Sequence, residues 1–394
     1  MAELIFWISA LSLAHTYFLY PLVLVAADAL VRACSDFRYL ARGGERRRAE
    51  SRELPQVSLL VAAWNEASVI GEKLENSLAL DYPPEKLEIL IGSDGSDDGT
   101  DAIVESFTDP RIRLSAAPRV GKIGVLNRLV PLARGEILVF SDANTLFEPN
   151  AIRMLIRHFE EPKVGLVCGR LRLYNPTRKD YEESTYWVYE SFLKFMEGKR
   201  GVVMGANGGI YALRRELWEA LPSQTVVEDF VIAGRCLLRE RDVVYDPEAV
   251  AWEETTEDYT QERARRTRIA AGNFQALVQL RELLHPSRPG PAFAFFSHKV
   301  LRWFAPFFLL GLLLSNLFLL GPAIYNLSLV AQLAFYALAF AGYRGFSRGV
   351  LGGMASTARY FTEMNWGLLQ GFFRWLRGSQ KVTWDRTARN APPA

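Results

Sequence analysis

Three short polar clusters hold the residues best suited to chemistry. They are Asn65-Glu66, the run Asp94 to Asp98 within Ser93-Asp94-Gly95-Ser96-Asp97-Asp98-Gly99-Thr100, and Asp142-Ala143-Asn144. Carboxylates and amides gathered in one place are hard oxygen donors, suited to Mg²⁺ or Mn²⁺ carrying a diphosphate. Asp, Ser and Gly are also standard turn formers, so the Asp94–Asp98 loop taken alone reads equally well as turn chemistry. Three such clusters in register are harder to explain that way. Further candidates are the acidic pair Glu228-Asp229, the cations Arg119 and Lys122, and the small-residue run Gly205-Ala206-Asn207-Gly208-Gly209. Each has a plain alternative. An acidic pair at a helix start complements the helix dipole, a lone lysine is ordinarily solvated, and a glycine run makes a turn.

The elements that must position these residues read as alternating strands and helices. Val57 to Ala63, Leu87 to Ile91, Ile112 to Leu114 and Ile137 to Phe140 are short apolar runs with strand character. Helical stretches lie between them: one ending near Leu80 before Asp81-Tyr82-Pro83-Pro84, one from Asp101 to Phe107, and one from Lys122 to Leu132. Repeated βα units predict an α/β fold, a mostly parallel sheet flanked by helices. Ligands in such sheets bind beyond the carboxyl ends of the strands. All three polar clusters follow strands, so they converge on one edge.

Outside this core the chain changes character. From Leu4 to Val31 it is apolar except for His15 and Asp28, beyond the ~20 residues a spanning helix needs. A cleaved signal peptide is the competing reading, but the Met-Ala-Glu start is not basic and the run is long. Arg32, Arg38, Arg42, Arg46, Arg47 and Arg48 follow, which places the next segment in the cytoplasm. A second apolar region, Val300 to Tyr343, carries Gly321-Pro322 near its middle and suits two spans with a tight turn. Tyr360 to Leu376 mixes aromatic, aliphatic and charged residues, as an interfacial helix or a third, re-entrant segment would. Arg374, Arg377, Lys381, Arg386 and Arg389 favour a cytoplasmic C-terminus. The net charge of +2 excludes overall charge as an argument for a nucleic-acid partner. Cys34, Cys168 and Cys236 are far apart and read as reduced thiols.

From about Pro55 to Leu284 the motifs resemble those of the family 2 glycosyltransferases with the GT-A fold. That family holds the processive synthases of cellulose, hyaluronan, chitin and poly-N-acetylglucosamine, and several lipid glycosyltransferases. The resemblance implies that Asn65 and Glu66 border the nucleotide. It implies that Asp94 accepts from the uracil N3–H of a UDP-sugar, and that Arg119 and Lys122 face the donor phosphates, with Gly121 and Asn127 in the same element. Asp142-Ala143-Asn144 stands where the family has its Asp-x-Asp metal motif. The second carboxylate is here an amide, which ligates through its carbonyl oxygen without charge. Gly208, Gly209 and Glu228 fall on the acceptor side, and Asp229 is implied as the catalytic base. The family's Gln-x-x-Arg-Trp aligns with Arg265 to Ile269. Arg268 is kept to pair with the diphosphate, Arg265 replaces Gln, and Ile269 replaces the Trp that stacks on the acceptor sugar. That departure puts processivity in question. Tyr181 to Glu197 resembles the family's interface helix at the membrane.

The resulting division is a transmembrane anchor at 1–33, a basic linker at 34–54 and a GT-A domain at 55–285. A membrane-proximal segment with a transmembrane hairpin follows at 286–343, and an amphipathic or re-entrant segment with a basic tail at 344–394. The expected activity is inverting, metal-dependent transfer of a hexose or N-acetylhexosamine from a nucleotide-sugar to a growing exopolysaccharide at the inner membrane, with the catalytic domain cytoplasmic. Single transfer to a lipid is the alternative. A non-catalytic scaffold within a synthase complex expects losses at Asp142 or Asp229, and both are present. Nucleotidyl transfer expects a basic, Gly-rich signature after the first strand, where Trp64-Asn65-Glu66 stands.

Overall fold

The computed structural model describes residues 1–42, 53–174, 185–254, 259–346 and 348–378. Arg46, Arg47, Arg48, Lys381, Arg386 and Arg389 therefore lie outside the described residues, as does the beginning of the Tyr181–Glu197 stretch. The chain divides into two compact units. One comprises Leu24–Asp258 and Gln279–Ala294, and the other Met1–Val23, Tyr259–Val278 and Phe295–Gln380.

The first unit is built on an eight-stranded sheet. Its strands are β1 (Val57–Ala63), β2 (Leu87–Asp94), β3 (Ile112–Ala117), β4 (Ile137–Asp142), β5 (Thr145–Phe147), β6 (Val164–Tyr174), β7 (Tyr211–Arg214) and β8 (Asp242–Glu254), in the order β3-β2-β1-β4-β7-β6-β8-β5. The βα repeats produce the parallel half, β3-β2-β1-β4. The other half is mixed: β7 runs antiparallel to β4 and β6, β8 runs parallel to β6, and β5 antiparallel to β8.

Every residue of β1 is buried, because helices cover both faces of the sheet. On one face Leu59, Val61, Ile89, Ile91 and Val139 share a core with Ile70 and Leu74 of the helix Ile70–Leu78. On the other, the helix Lys122–Leu129 presses onto Gly92, where a Cβ would stand 2.3 Å from Val125 Cγ1. In the parallel register Ala62 lies opposite Asp142 and Ala63 opposite Ser93. The loops after β1, β2 and β4 thus leave the sheet at one edge. Asp28, the acidic interruption of the N-terminal apolar run, pairs with Lys199 Nζ at 2.9 Å and Arg32 Nε at 3.0 Å.

The second unit is helical. Among the described residues, two helices, Ala2–Phe37 and Ala323–Tyr343, are long and apolar enough to cross a membrane, and the bent pair Pro289–Trp303 and Ala305–Leu317 (61°) would make a third. Gly321, at φ +131°, and Pro322 break the apolar region between Ala305–Leu317 and Ala323–Tyr343. Small residues let the helices approach: a Cβ on Gly311 would lie 2.8 Å from Ser9 Oγ, and one on Gly342 2.3 Å from the Ala355 carbonyl oxygen. His15, the polar residue of the N-terminal run in this unit, hydrogen-bonds Ser297 Oγ at 2.9 Å. The Tyr360–Leu376 stretch belongs to a longer helix, Gly349–Leu376. Its Gly371 fits against Ala270 of the helix Tyr259–Gln279, and Phe372 and Trp375 pack with Phe274.

Candidate active site

Two polar clusters stand on the strand-end edge. In the first, Asn65 adopts φ +55°, a region Asn tolerates better than most residues. Its Nδ2 donates to Asp97 Oδ1 at 2.8 Å, and the Asp97 N–H donates back to Asn65 Oδ1 at 3.0 Å. Asp98 accepts from the N–H groups of Ala67 and Thr100, both at 3.1 Å, and the Glu66 N–H donates to Thr100 Oγ1 at 2.9 Å. The Asp94 carboxylate is buried and clamps the next turn, accepting from Val120 N–H at 2.6 Å and Gly121 N–H at 3.0 Å. Arg119 stacks over the Trp64 ring, its Cζ 3.3 Å from the centroid. Asn65, Asp94, Asp97 and Asp98 are thereby bonded within the loops.

The second cluster is held by charge. Gly121, at φ +88°, turns the chain into the helix Lys122–Leu129, and Lys122 Nζ meets Asp142 Oδ1 at 2.7 Å and Glu228 Oε1 at 2.6 Å. Asp142 ends β4, while Glu228 and Asp229 open the helix Glu228–Leu238. Asp229 Oδ1 accepts from the Phe230 N–H at 2.8 Å. A Cβ on Gly208 would lie 3.6 Å from Asp229 Oδ2 and 3.9 Å from Lys122 Nζ, so this glycine lies against both groups. Burial disfavours the Lys122 ammonium, but Asp142 and Glu228 outweigh that and hold its pKa above the usual lysine value. The Asp229 carboxyl is pushed up to about 6, first by burial and then by Glu228, against the opposing pull of Lys122 and Lys194.

Sequence reasoning missed two residues here. Lys73 is fully buried beneath the loop between β4 and β5, donating to Ser141 Oγ at 2.8 Å and to the Thr145 carbonyl at 2.5 Å. Its ammonium also stands 4.4 Å from the Phe147 ring centroid, and burial draws its pKa down to about 7 against the attraction of Asp142. The signal was the helix phase: Ile70, Lys73, Leu74 and Ser77 form the buried face. Tyr211 is the second. Its phenol is buried and unpaired among the described residues, and its pKa is raised by burial and then by Glu228, Asp229 and Asp142.

A Cβ on Gly209 would meet Thr145 Oγ1 at 2.9 Å, so packing against β5 already requires glycine there. Asn144 is half-buried, its Nδ2 3.4 Å from Glu253 Oε1 on β8. Among the described residues no group of three or more His, Cys, Asp and Glu side chains is arranged to hold a metal. Asp142 and Asn144 supply two hard oxygens, which fits Mg²⁺ or Mn²⁺ only if the rest of the shell comes from phosphate and water. Arg265, Arg268 and Ile269 lie on the helix Tyr259–Gln279 of the helical unit, Arg265 exposed and the other two half-buried. Arg266 between them stacks on Tyr360, its Cζ 4.9 Å from the ring centroid.

Residues 55–272 match the family described as "Glycosyltransferase like family 2". The chain belongs to that family. Among similar proteins, the probable glycosyltransferase YdaM of Bacillus subtilis (strain 168) is 27% identical over 299 residues, covering 72% of this chain and 70% of YdaM. The poly-beta-1,6-N-acetyl-D-glucosamine synthase of Staphylococcus aureus (strain COL) is 26% identical over 239 residues, covering 58% of this chain and 57% of the synthase. The fold of this glycosyltransferase is the GT-A type. It is shared with the mannosyltransferase PcManGT of Pyrobaculum calidifontis, solved in complex with GDP-Man and Mn²⁺, at TM-score 0.63 and 23% identity, covering 90% and 97% of the two chains.

Proposed function

We propose that this family 2 glycosyltransferase is an inverting, membrane-bound hexosyl- or N-acetylhexosaminyltransferase that extends an exopolysaccharide on the cytoplasmic face of the inner membrane. The observation that carries the reading is the Asp229 carboxyl, raised to about 6 beside a Lys122-bridged pair of carboxylates at the strand-end edge. An acceptor hydroxyl is a poor nucleophile at neutral pH. Asp229 takes its proton as the oxygen attacks the anomeric carbon, and a base of pKa near the working pH is suited to that transfer. The bond from the anomeric carbon to the diphosphate breaks, and the electron pair leaves with the nucleoside diphosphate. One displacement inverts the anomeric centre.

Lys122 is assigned to the departing phosphates and Asp94 to the base, with Asn65, Glu66 and Arg119 bordering the nucleotide. Gly208, Gly209 and Glu228 are assigned to the acceptor side. Asp142 and Asn144 are the residues to hold Mg²⁺ or Mn²⁺, whose charge offsets that developing on the leaving group. The Mn²⁺ in the PcManGT complex supports a divalent cation here. The S. aureus synthase supports a polymer acceptor, whereas Ile269 in place of Trp favours a second reading, single transfer to a lipid. The apolar helices and the arginines after the first of them support the membrane anchor, the hairpin and the cytoplasmic domain.

Product analysis in membrane vesicles tests the proposal. Radiolabelled UDP-glucose, UDP-N-acetylglucosamine, UDP-galactose and GDP-mannose are supplied in turn with Mg²⁺ or Mn²⁺, beside Asp229→Asn. The expected result is label in a high-molecular-weight polymer that the variant loses. Label confined to extractable lipid establishes the second reading. No transfer sensitive to Asp229→Asn overturns both.

A further inference from the structure

The same ammonium is asked to do two things. Lys122 grips Asp142 and Glu228, yet the proposed reaction needs Asp142 for a cation and Lys122 for the donor phosphates. A divalent ion on Asp142 cannot share that carboxylate with an ammonium at hydrogen-bond distance without strong like-charge repulsion. Competition matters here because Asp142 is the one charged group of the Asp142-Ala143-Asn144 motif, its partner being a neutral amide. Lys122 can also move: its side chain is 26% exposed, on a flexible four-carbon stem. A diphosphate offers it more negative charge than one carboxylate.

Resting on the reading above, we infer that Lys122 is an internal competitor for the cation site, which surrenders Asp142 only when a donor diphosphate draws it away. Cation and donor therefore bind as a coupled pair, each raising the other's affinity by the same factor. A bare cation finds Asp142 already neutralised. A donor without a cation leaves Asp142 facing its phosphates.

Mn²⁺ binding to the detergent-solubilised full chain, followed by electron paramagnetic resonance without nucleotide and with UDP or GDP, tests this. The wild type is expected to bind bare Mn²⁺ weakly and to gain about tenfold or more when one of the nucleotides is added. Lys122→Met is expected to bind bare Mn²⁺ about tenfold more tightly than the wild type and to lose most of the nucleotide's enhancement. Lys122→Arg keeps the charge and stays weak. Lys122→Gln keeps a polar N–H donor without the charge, and carries the measurement if the Met variant does not fold. Bare-Mn²⁺ affinity in Lys122→Met and Lys122→Gln no higher than in the wild type overturns the inference. Nucleotide-dependent Mn²⁺ binding by the wild type would then leave the metal assignment standing. No Mn²⁺ binding by any protein, with or without nucleotide, overturns the inference together with that assignment.

Discussion

The two polar clusters at the strand-end edge use the same residue types for opposite ends. Around Asn65 and Asp94–Thr100, carboxylates accept from backbone N–H groups and from an amide, and these bonds tie the loops together. Around Asp142, Glu228 and Asp229, three carboxylates crowd one bridging lysine, and the Asp229 acid is pushed up to about 6. The first arrangement fixes the loops that the proposed reading assigns to the nucleotide. The second holds a carboxyl at raised pKa beside two other carboxylates, a pattern enriched at functional sites.

Asp229→Asn separates the two most sharply. Turnover is expected to fall by roughly 10²–10⁴-fold, the usual contribution of a general base. Stability should move the other way. Asp229's acid is weaker in the fold than in the unfolded chain, so its ionisation disfavours the fold above about pH 6. A neutral Asn removes that cost, and the melting temperature at pH 8 should be no lower than the wild type's. A large drop in melting temperature would mean that Asp229 is a structural cap. The same carboxyl predicts that kcat/KM rises with pH through about 6 and then levels, since the base works deprotonated. A flat profile between pH 5 and 8 would move the base elsewhere.

How much of this could be read beforehand follows the physics of each part. Strands β1, β2 and β4 were legible because apolar runs closed by polar turns have one reading in a βα repeat. The antiparallel return through β7 was not, since Tyr211–Arg214 is four residues long and its partner β4 lies far away in sequence. The charges at Asp142 and Asp229 were legible by type and by family resemblance, but their shared lysine was not, because pairing depends on three separate elements meeting. Lys73 was hidden by expectation: a lysine between glutamates reads as solvated until the helix phase is weighed. The arginine-rich helix Tyr259–Gln279 falls inside the 55–285 stretch, and its contact with Gly349–Leu376, Gly371 against Ala270, is not legible from charge pattern alone.

Gly92→Ala tests whether the charged cluster depends on how its lysine is mounted. The added methyl would strike Val125 Cγ1 and Leu129 Cδ1, forcing the helix Lys122–Leu129 off β2. Overpacking of this kind costs about 1–3 kcal/mol. Because the displaced helix carries Lys122, the donor KM should rise along with the loss of stability seen in chemical denaturation. A destabilised protein with unchanged KM would show that Lys122 is positioned by its carboxylates, not by the helix beneath it.

Asp98→Ala should have the smallest effect and the purest character. It removes an acceptor of the Ala67 and Thr100 N–H groups, at a cost of about 1 kcal/mol for such turn contacts. The loop stays near its place, since Asn65 and Asp97 still bond to one another and Asp94 still holds Val120 and Gly121. The melting temperature is expected to fall by a few degrees with kcat and its pH dependence unchanged. A loss of kcat beyond about tenfold would join the two clusters into one catalytic unit, because an interaction that changes the rate must be felt in the transition state.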